Sequence, residues 1–405
     1  MDILKSDTFC AYSWFGFRNE NNGRYRVCCA IDPSRSEYTH EDKWESMTDF
    51  LNGDYAQYIR KSLSSGIKLK ECHVCWHEET HNEISNRQIS NESVSDGKKD
   101  LSNTWLPAYF KKKTDYKSDL LLLADVKINN ICNFECIMCN AGDSSLILNK
   151  WTNNIESEFV QDYLTKDPAY FKKIQIAKKE NFNETILAEI LELKNLKKLK
   201  IIGGEPLVNP KVIELLSNLD NSKKEKLSLD IVTNGSVDLL DTANKLGNYK
   251  HIRFIVSVDA IEELQEYIRR NSDWEQLKTN ILKFQKHVNE KLSVSCSLTP
   301  QAASITQLPL LITWLTENKI SFITGDLIKP DYLSFSVVPD PLKQFVIEQL
   351  SKLKLESADS IISKLVDSEY DPVLFEKFKK YIKWQDTFSK IKFSSAAPEW
   401  STYFS

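Results

Sequence analysis

Three cysteines stand close together in the sequence CNFECIMC, at Cys132, Cys136 and Cys139. Three thiolates at this spacing can surround one metal centre from a single loop. A structural zinc ion takes four closed ligands, and a [4Fe–4S] cluster is normally held by four thiolates. Because this loop supplies three, a cubane cluster would keep one iron without a protein ligand, and a substrate or cofactor could bind there. A zinc knuckle, or a thiol cluster completed by a distant Cys or His, is the alternative that the spacing leaves open.

A second set of cysteines lies in the first hundred residues, at Cys10, Cys28, Cys29, Cys72 and Cys75. Cys72 and Cys75, two residues apart, form a two-ligand clip. A hairpin predicted over YSWFGFRNENNGRYRVCCA would bring Cys10 near Cys28 or Cys29. Neighbouring residues of a strand point to opposite faces, so Cys28 and Cys29 are not both expected to reach one centre. The set predicts a closed four-ligand site that holds either an iron–sulfur cluster or a structural zinc ion.

The elements that carry this second set are predicted within residues 1–100. The hairpin turns at Asn22-Gly23, a pair that favours positive backbone angles. A helix is predicted near Asp54–Ser64, with Asp54 as its N-cap and Gly66 at its end. The polar stretch NEISNRQISNESVSDGKKDLSN is interpreted as a linker or a solvated helix that closes this small cysteine-rich hairpin and helix domain.

Strand-like and helical patterns alternate along residues 119–330. The repeats predict an α/β fold with a parallel sheet, either open or curled into a partial (β/α)6 TIM-like barrel. Right-handed crossovers place active residues at the carboxyl ends of such strands. The strands are predicted in LLLADVKIN, LKKLKIIGG, KLSLDIVTNG, HIRFIVSVD, KLSVSCSLT and ISFITGDLI. Residues 340–405 are mostly helical, and we expect this C-terminal extension to pack against the barrel without chemistry of its own.

Short polar motifs follow the second, third and fourth of these strands. Gly203-Gly204 lets the backbone approach a ligand closely, and Glu205 could accept a hydrogen bond from an ammonium group. Arg269 and Arg270, in EYIRRNSDW, are cations that suit charge-assisted hydrogen bonds to an anion. Each motif alone is also typical of a turn, a helix cap or a solvated helix face. The other polar residues at strand ends are Thr233, Asn234, Ser257 and Asp259.

Taken in chain order, these motifs resemble the radical S-adenosylmethionine (radical SAM) enzymes over about residues 120–330. The resemblance rests on the cysteine loop after the first strand, GGE after the second, TNG after the third and SVD after the fourth. It implies a [4Fe–4S] cluster on the three cysteines, with the fourth iron chelated by the amino and carboxylate groups of SAM. Reduction would cleave the sulfonium C–S bond, and the 5′-deoxyadenosyl radical would abstract a hydrogen atom from substrate.

The resemblance also implies how each motif binds SAM. The GGE motif would hold the methionine amine, and TNG would present polar groups above the sheet. Ser257 and Asp259 would meet the ribose hydroxyls or the carboxylate. Arg269 would pair with the carboxylate, with Arg270 as a possible substitute in that role. Met138 stands where many members carry an aromatic residue near adenine, and it is a soft apolar substitute.

The N-terminal cysteine pattern, which ends in C-x2-C, resembles the SPASM/twitch auxiliary-cluster domain of radical SAM maturases. Here it precedes the barrel, whereas the common arrangement places it after. Its cysteines suffice for one auxiliary [4Fe–4S] cluster, as in the shorter twitch form, with zinc as the alternative. Relatives with such domains commonly crosslink, epimerise or oxidise peptides. The resemblance therefore implies a peptide or protein substrate and an electron donor such as flavodoxin or ferredoxin.

The composition argues against several other classes of protein. The net charge is −4 without a long basic run, so nucleic acid is not an expected partner. No membrane span or signal peptide is predicted, so we expect a cytoplasmic protein with reduced thiols. Cys296, alone in an apolar strand, is expected to be buried and inert. Two further hypotheses stay open: a non-catalytic zinc-binding interaction protein with two structural thiolate sites, and an iron–sulfur electron carrier.

Overall fold

The computed structural model describes residues 6–20, 24–32, 35–36, 46–81, 84–95, 121–166, 182–325, 327 and 329–404. The chain divides into two compact units. The first spans residues 1–128 and 180–201, and the second spans residues 129–179 and 202–405. The segment 119–330, predicted as a barrel, therefore contributes to both units.

Helices and strands alternate through most of the described chain. The α-helices are α1 (Ala11–Phe15), α2 (Met47–Asn52), α3 (Asp54–Ser64), α4 (His73–Thr80), α5 (Asn86–Ser95), α6 (Ser145–Asn153), α7 (Glu158–Lys166), α8 (Phe182–Leu191), α9 (Pro210–Ser217), α10 (Asn221–Lys224), α11 (Leu239–Leu246), α12 (Glu262–Ile268), α13 (Trp274–Gln285), α14 (Leu308–Glu317), α15 (Asp340–Ser351), α16 (Glu356–Asp367), α17 (Pro372–Asp386) and α18 (Phe393–Ala396). The strands are β1 (Gly16–Asn19), β2 (Tyr25–Arg26), β3 (Leu123–Lys127), β4 (Glu135–Cys136), β5 (Lys198–Ile202), β6 (Ser228–Thr233), β7 (His251–Ser257), β8 (Arg269–Arg270), β9 (Leu292–Leu298) and β10 (Ser321–Thr324).

The strands of the first unit lie in the order β2-β1-β3-β5 within a sheet of eight strands. β1 pairs antiparallel with β2, where Arg18 lies opposite Arg26, and parallel with β3, where Gly16 lies opposite Leu123. The antiparallel pair confirms the predicted hairpin. Its Asn22-Gly23 turn lies outside the described residues.

The first strand of that hairpin was predicted to begin too early, because Ala11–Phe15 forms helix α1. Trp14 and Phe15 are both buried, in a cluster that also contains Phe9 and Leu122. A helical turn lets neighbouring side chains share one core, whereas a strand would turn one of them away from it.

Helix α3 confirms the helix predicted over Asp54–Ser64, although Gly53 and not Asp54 is its N-cap. The reason is local: α2 ends at Gly53, so α3 begins directly after it and includes Asp54 in its first turn. Gly66 follows with a φ of +85°, the left-handed conformation that commonly ends a helix.

The polar stretch predicted as a linker or solvated helix contains α5, and one face of α5 is buried. Arg87 and Asn91 each donate a hydrogen bond of 3.0 Å to the carbonyl oxygen of Phe9, and both side chains are buried. The Asn91 Oδ1 atom accepts from the N–H of Ala11 at 2.7 Å. The solvated interpretation is therefore wrong for this face, because polar side chains satisfy buried backbone groups there.

The strands β6, β7, β9 and β10 of the second unit lie in this order and pair in parallel. Helices α11, α13 and α14 follow β6, β7 and β9 along the chain. Phe254 of β7 packs edge-on against Phe284 of α13, with ring centroids 5.2 Å apart. Together with β3 and β5 of the first unit, these strands are the six predicted from sequence. The α/β class, a mostly parallel sheet surrounded by helices, is thereby confirmed.

The C-terminal region is helical from α15 to α18, as predicted. Helix α17 shares an aromatic core with the chain end, where the rings of Phe378 and Trp400 lie 5.1 Å apart. In the described part of the chain, no helix has both the length and the apolar character needed to cross a membrane.

Candidate cofactor site

A two-stranded ladder fixes the cysteine loop in the second unit. β4 pairs antiparallel with β8, which sets Cys136 opposite Arg269 and Glu135 opposite Arg270. The N–H of Cys139 donates to the Cys136 carbonyl oxygen at 3.1 Å and closes a turn. The ladder thus positions an arginine beside the middle cysteine of the motif.

The three thiols of the loop differ in their electrostatics. A hydrogen bond from Cys139 lowers the pKa of Cys136, and so does Arg269, whose Nη1 atom lies 3.8 Å from Cys136 Sγ. Burial raises the pKa of Cys132 to about 12, and the hydrogen bond to Cys136 raises the pKa of Cys139. Thiolates are the form that binds metal, so Cys136 is prepared for ligation and the other two need the charge of a bound cation.

The GGE motif lies against the residue that precedes the cysteine loop. The N–H of Glu205 donates to the Ile131 carbonyl oxygen at 2.7 Å. Gly204 has a φ of +50°, and a Cβ atom at this position would lie 2.1 Å from the same oxygen. Glycine at position 204 is therefore required for the close approach of the two loops.

The Glu205 carboxylate is buried and accepts three hydrogen bonds from its own chain. Oε1 accepts from the N–H of Leu207 at 3.0 Å and from Thr233 Oγ1 at 2.7 Å, and Oε2 accepts from the N–H of Asn234 at 2.5 Å. Burial raises the pKa of Glu205 to about 7. A carboxylate offers about four acceptor positions, so one position stays for an external donor such as an ammonium group.

The TNG motif is tied to the cysteine loop by side-chain amides. Asn234 Nδ2 donates to Asn133 Oδ1 at 2.8 Å, and Asn133 Nδ2 donates to Ser236 Oγ at 3.0 Å. Thr233 also donates a hydrogen bond to Glu205. Hydrogen bonds therefore connect the TNG motif to both the GGE motif and the cysteine loop.

Two predicted SAM contacts, Asp259 and Arg269, are paired with each other. Arg269 Nε and Nη2 lie 2.8 Å and 2.7 Å from Asp259 Oδ2, and the other carboxylate oxygen accepts from the N–H of Thr299 at 2.8 Å. Ser257, at the carboxyl end of β7, is half-buried. Arg270, the predicted substitute for Arg269, bonds Glu135 at 3.2 Å and thus belongs to the other side of the ladder.

The predicted motifs of residues 120–330 therefore come together at one end of the second unit. Met138 is half-buried within the cysteine loop, and Gly203 has a φ of +95°. Within the described ranges, no three thiol, imidazole or carboxylate groups already stand at metal-binding distance from one point. The loop offers three thiols, with the Arg269 cation beside one of them and glycines in the neighbouring GGE motif. Three thiolate ligands suit an iron–sulfur cluster with one open iron.

A separate pocket in the first unit, which we call the thiol pocket, has a cavity volume of about 20 Å³ and is lined by Cys10, Cys28, Cys72 and Cys75. Burial raises the pKa of each of these thiols, that of Cys75 to about 12. Backbone hydrogen bonds from Tyr12 and Ser13 act on Cys10 in the opposite direction. Four thiols around one apolar space fit a tetrathiolate centre, because a bound cation would offset the cost of their ionisation.

Cys28 and Cys29, between which the sequence left the choice open, have different surroundings. Cys28 lines the thiol pocket, whereas the thiol of Cys29 interacts with Asp125, Lys200 and Arg18. The strand alternation behind the expectation does not apply here, because β2 ends at Arg26 and both cysteines lie after it. Cys296 is fully buried in β9, as expected.

Several residues that organise the site were not found from the sequence. Asn133 bridges two loops, and Gln265 Oε1 accepts from the N–H groups of Asp259 and Ala260 at 3.0 Å and 3.1 Å. Tyr381, far along the chain, donates to a carbonyl oxygen of the cysteine loop. Amides and tyrosines carry no distinctive spacing, so only the folded contacts identify them.

Comparison with known families identifies the domain. Residues 126–299 match the model of the Radical SAM superfamily. This segment contains the three cysteines and the GGE, TNG and SVD motifs described above. The chain therefore contains a domain that matches the radical SAM superfamily, as the motif order predicted. No curated protein sequence matches the chain.

Solved structures with a related fold are distant. A structure of anSMEcpe with bound AdoMet and Cp18Cys peptide is 15% identical, covers 57% of this chain and 58% of its own, and gives a TM-score of 0.37. SuiB of Streptococcus suis bound to S-adenosylmethionine is 15% identical, with 86% and 70% coverage and a TM-score of 0.38. TYW1 with a lysine-pyruvate adduct is 14% identical, with 57% and 71% coverage and a TM-score of 0.31. The chain thus spans little more than half of the anSMEcpe chain, and similarities at this level carry no argument about activity.

Proposed function

We propose that the protein is a radical SAM enzyme that binds a [4Fe–4S] cluster at Cys132, Cys136 and Cys139 and S-adenosylmethionine at the open iron. The observation that carries the proposal is the connected set of contacts joining the cysteine loop, the GGE turn and the Asp259–Arg269 pair in a radical SAM domain. When bound, the cluster supplies the electron that cleaves SAM and starts hydrogen-atom abstraction from the substrate.

The chain's own residues hold and orient these groups. Arg269 favours the thiolate form of Cys136, because a cation 3.8 Å away stabilises negative charge on sulfur. The remaining acceptor position of Glu205 receives the methionine ammonium group, and the backbone at Gly203 and Gly204 allows the close approach. Ser257 supplies a hydroxyl at the end of β7 for the ribose.

We assign a second metal centre to the thiol pocket. Its ligands are Cys10, Cys28, Cys72 and Cys75, which leaves Cys29 outside the ligand set. The centre is an auxiliary [4Fe–4S] cluster, with zinc as the alternative that metal analysis distinguishes. Four thiolate ligands close the site, so its role is electron transfer or support of the fold and not direct binding of substrate.

The proposed substrate is a peptide or a protein side chain, which the enzyme crosslinks, epimerises or oxidises. Support comes from the combination of a radical SAM domain with an additional cysteine-rich site, an arrangement that resembles the radical SAM maturases. The proposed electron donor is a small redox protein such as flavodoxin or ferredoxin.

Anaerobic reconstitution tests the proposal. The purified protein is loaded with iron and sulfide, its iron, sulfide and zinc are quantified, and it is reduced with dithionite in the presence of SAM. We expect two clusters per chain and production of 5′-deoxyadenosine. Cys136→Ala should abolish SAM cleavage and retain the auxiliary iron. Absence of 5′-deoxyadenosine from fully loaded protein would refute the enzymatic proposal, and native zinc in both sites would favour a structural zinc protein.

A further inference from the structure

Helix α17, in the C-terminal region, contacts the cysteine loop directly. The Tyr381 hydroxyl donates a hydrogen bond of 2.5 Å to the carbonyl oxygen of Ile137, and the Tyr381 side chain is buried. Ile137 lies between Cys136 and Cys139. This hydrogen bond therefore acts on the short backbone segment that carries two of the three thiols.

A second attachment lies one turn further along the same helix. Gln385 Oε1 accepts from Arg270 Nη2 at 2.9 Å and from Lys150 Nζ at 2.7 Å. Both cations also face Glu135, whose Oε2 atom lies 3.2 Å from Arg270 Nη1 and 3.9 Å from Lys150 Nζ. Glu135 immediately precedes Cys136, so the residues on both sides of this cysteine are connected to α17.

Aromatic rings lie beside the Lys150 amine and the Arg270 guanidinium. Lys150 Nζ lies 4.3 Å from the ring centroid of Phe388 and 5.1 Å from that of Trp384, and Arg270 Cζ lies 5.9 Å from the Phe388 centroid. Cations over aromatic faces are attracted to them, most strongly where water is excluded. Arg270 and Lys150, which connect Glu135 to Gln385, therefore have aromatic neighbours as well as hydrogen-bond partners.

We propose that α17 positions the cysteine loop, and that Tyr381 is a positioning residue for the site-differentiated cluster. The inference rests on the proposed function, because the position of the loop affects SAM binding only if the loop carries a cluster with an open iron. Tyr381 and Gln385 are four residues apart and so lie on one face of the helix. Ordinary packing of a C-terminal helix would not require a hydroxyl aimed at the backbone between two ligands.

The geometry has an electronic consequence. The potential of an iron–sulfur cluster depends on hydrogen bonding and on how the protein orients its ligands. Loss of the Tyr381 hydroxyl would leave the buried Ile137 carbonyl oxygen without this donor and would free the turn from Cys136 to Cys139 to shift. The cluster itself should still form, because its three thiols are unchanged.

Tyr381→Phe tests the inference against two matched tyrosine-to-phenylalanine controls. Tyr332 shares the aromatic cluster, with its ring centroid 4.7 Å from that of Tyr381. The Tyr267 hydroxyl donates to the Ile382 carbonyl oxygen of α17 at 3.4 Å, so it contacts the helix and not the loop. Tyr332→Phe controls for the loss of a hydroxyl in this aromatic core, and Tyr267→Phe controls for the loss of a contact with α17. Only Tyr381→Phe removes the hydrogen bond to the cysteine loop.

The measurements are the electron paramagnetic resonance spectrum and midpoint potential of the reduced SAM-binding cluster, and the rate of SAM cleavage, in the reconstituted full chain. We expect Tyr381→Phe to change the g-values and the potential and to slow cleavage about tenfold, with iron content retained. Both control variants should match the wild type. A Tyr381→Phe protein with wild-type spectrum, potential and rate would overturn the inference.

Hydrogen–deuterium exchange keeps this test separate from the proposed function. We expect faster exchange of the amides of residues 133–139 in Tyr381→Phe and in Gln385→Ala than in either control. If the wild type forms no cluster that responds to SAM, the proposed function fails. If the exchange rates of the loop amides are the same in Tyr381→Phe and in the wild type, positioning by α17 is refuted, whether or not a cluster forms.

Discussion

Arg269→Gln perturbs the buried ion pair that connects the cysteine loop to the end of β7. In the wild type, Arg269 bonds Asp259 through two nitrogens and contacts Cys136 Sγ through the third. Asp259 is 1% exposed and Arg269 is 8% exposed, so water does not replace the lost partner. The variant therefore leaves the Asp259 carboxylate buried without its arginine, while its Oδ1 atom still accepts from the N–H of Thr299.

The expected loss in the free energy of unfolding is about 3–5 kcal/mol, the usual cost of removing one partner of a buried ion pair. Arg253→Gln is the matched control, because Arg253 pairs with the buried Asp230 across β6 and β7 but is itself partly exposed. A partly exposed pair is expected to contribute about 1 kcal/mol or less. The difference between the two variants follows from the burial of Arg269 and from its additional contact with Cys136 Sγ.

The loss should also depend on pH. Burial raises the pKa of Asp259, and Arg269 opposes this rise. Without the arginine, the pKa rises further, so the folded variant binds a proton that the unfolded chain releases. Its stability is then highest below the ordinary aspartate pKa and falls as the pH rises through the raised value. Arg269→Gln should therefore be less destabilising at pH 5 than at pH 8.

Urea unfolding followed by tryptophan fluorescence, with equal metal content in all samples, measures both effects. Asp259→Asn and the double variant complete a double-mutant cycle, and we expect the double variant to lose clearly less stability than the sum of the single variants. Additive losses, or equal costs for Arg269→Gln and Arg253→Gln, would refute the argument that this pair is coupled and buried.

Three further substitutions test other contacts. Cys28→Ala should remove about half of the iron when two clusters are bound, whereas Cys29→Ala should retain it; equal iron in both variants would contradict the ligand assignment. Gly204→Ala should destabilise the protein by more than about 1 kcal/mol and weaken SAM binding, since both its φ and the nearby carbonyl oxygen exclude a Cβ; wild-type affinity in equilibrium binding would argue against the close approach. Asn234→Ala should cost about 1 kcal/mol in urea unfolding by removing the bond to Asn133, and unchanged stability would mean that this bond does not connect the loops.

The strands and the motif order could be predicted from sequence because they depend on local pattern. The sequence HIRFIVS, rich in β-branched and aromatic residues, predicts a strand, and β7 spans these residues. The glycines and cysteines were identified because few other residues adopt a positive φ or bind a metal through a thiolate. At Gly204, the required φ and the contact with a carbonyl oxygen explain why the motif contains glycine.

The remaining features depend on tertiary contacts that spacing does not encode. The pairing of Asp259 with Arg269 could not be predicted, because each residue alone suits a ligand equally well. Helix α1 overrides an aromatic strand pattern because two neighbouring rings enter one core. Tyr381 is separated from Ile137 by 244 residues, and no local pattern connects them.

Electron–nuclear double resonance on the reduced, reconstituted protein with SAM labelled by 15N at its methionine amine examines the open iron itself. We predict a 15N coupling to the cluster that disappears in Cys136→Ala. A fully loaded wild-type cluster that shows no 15N coupling, with unlabelled and labelled SAM giving the same spectrum, would contradict the assignment of an open iron that SAM occupies.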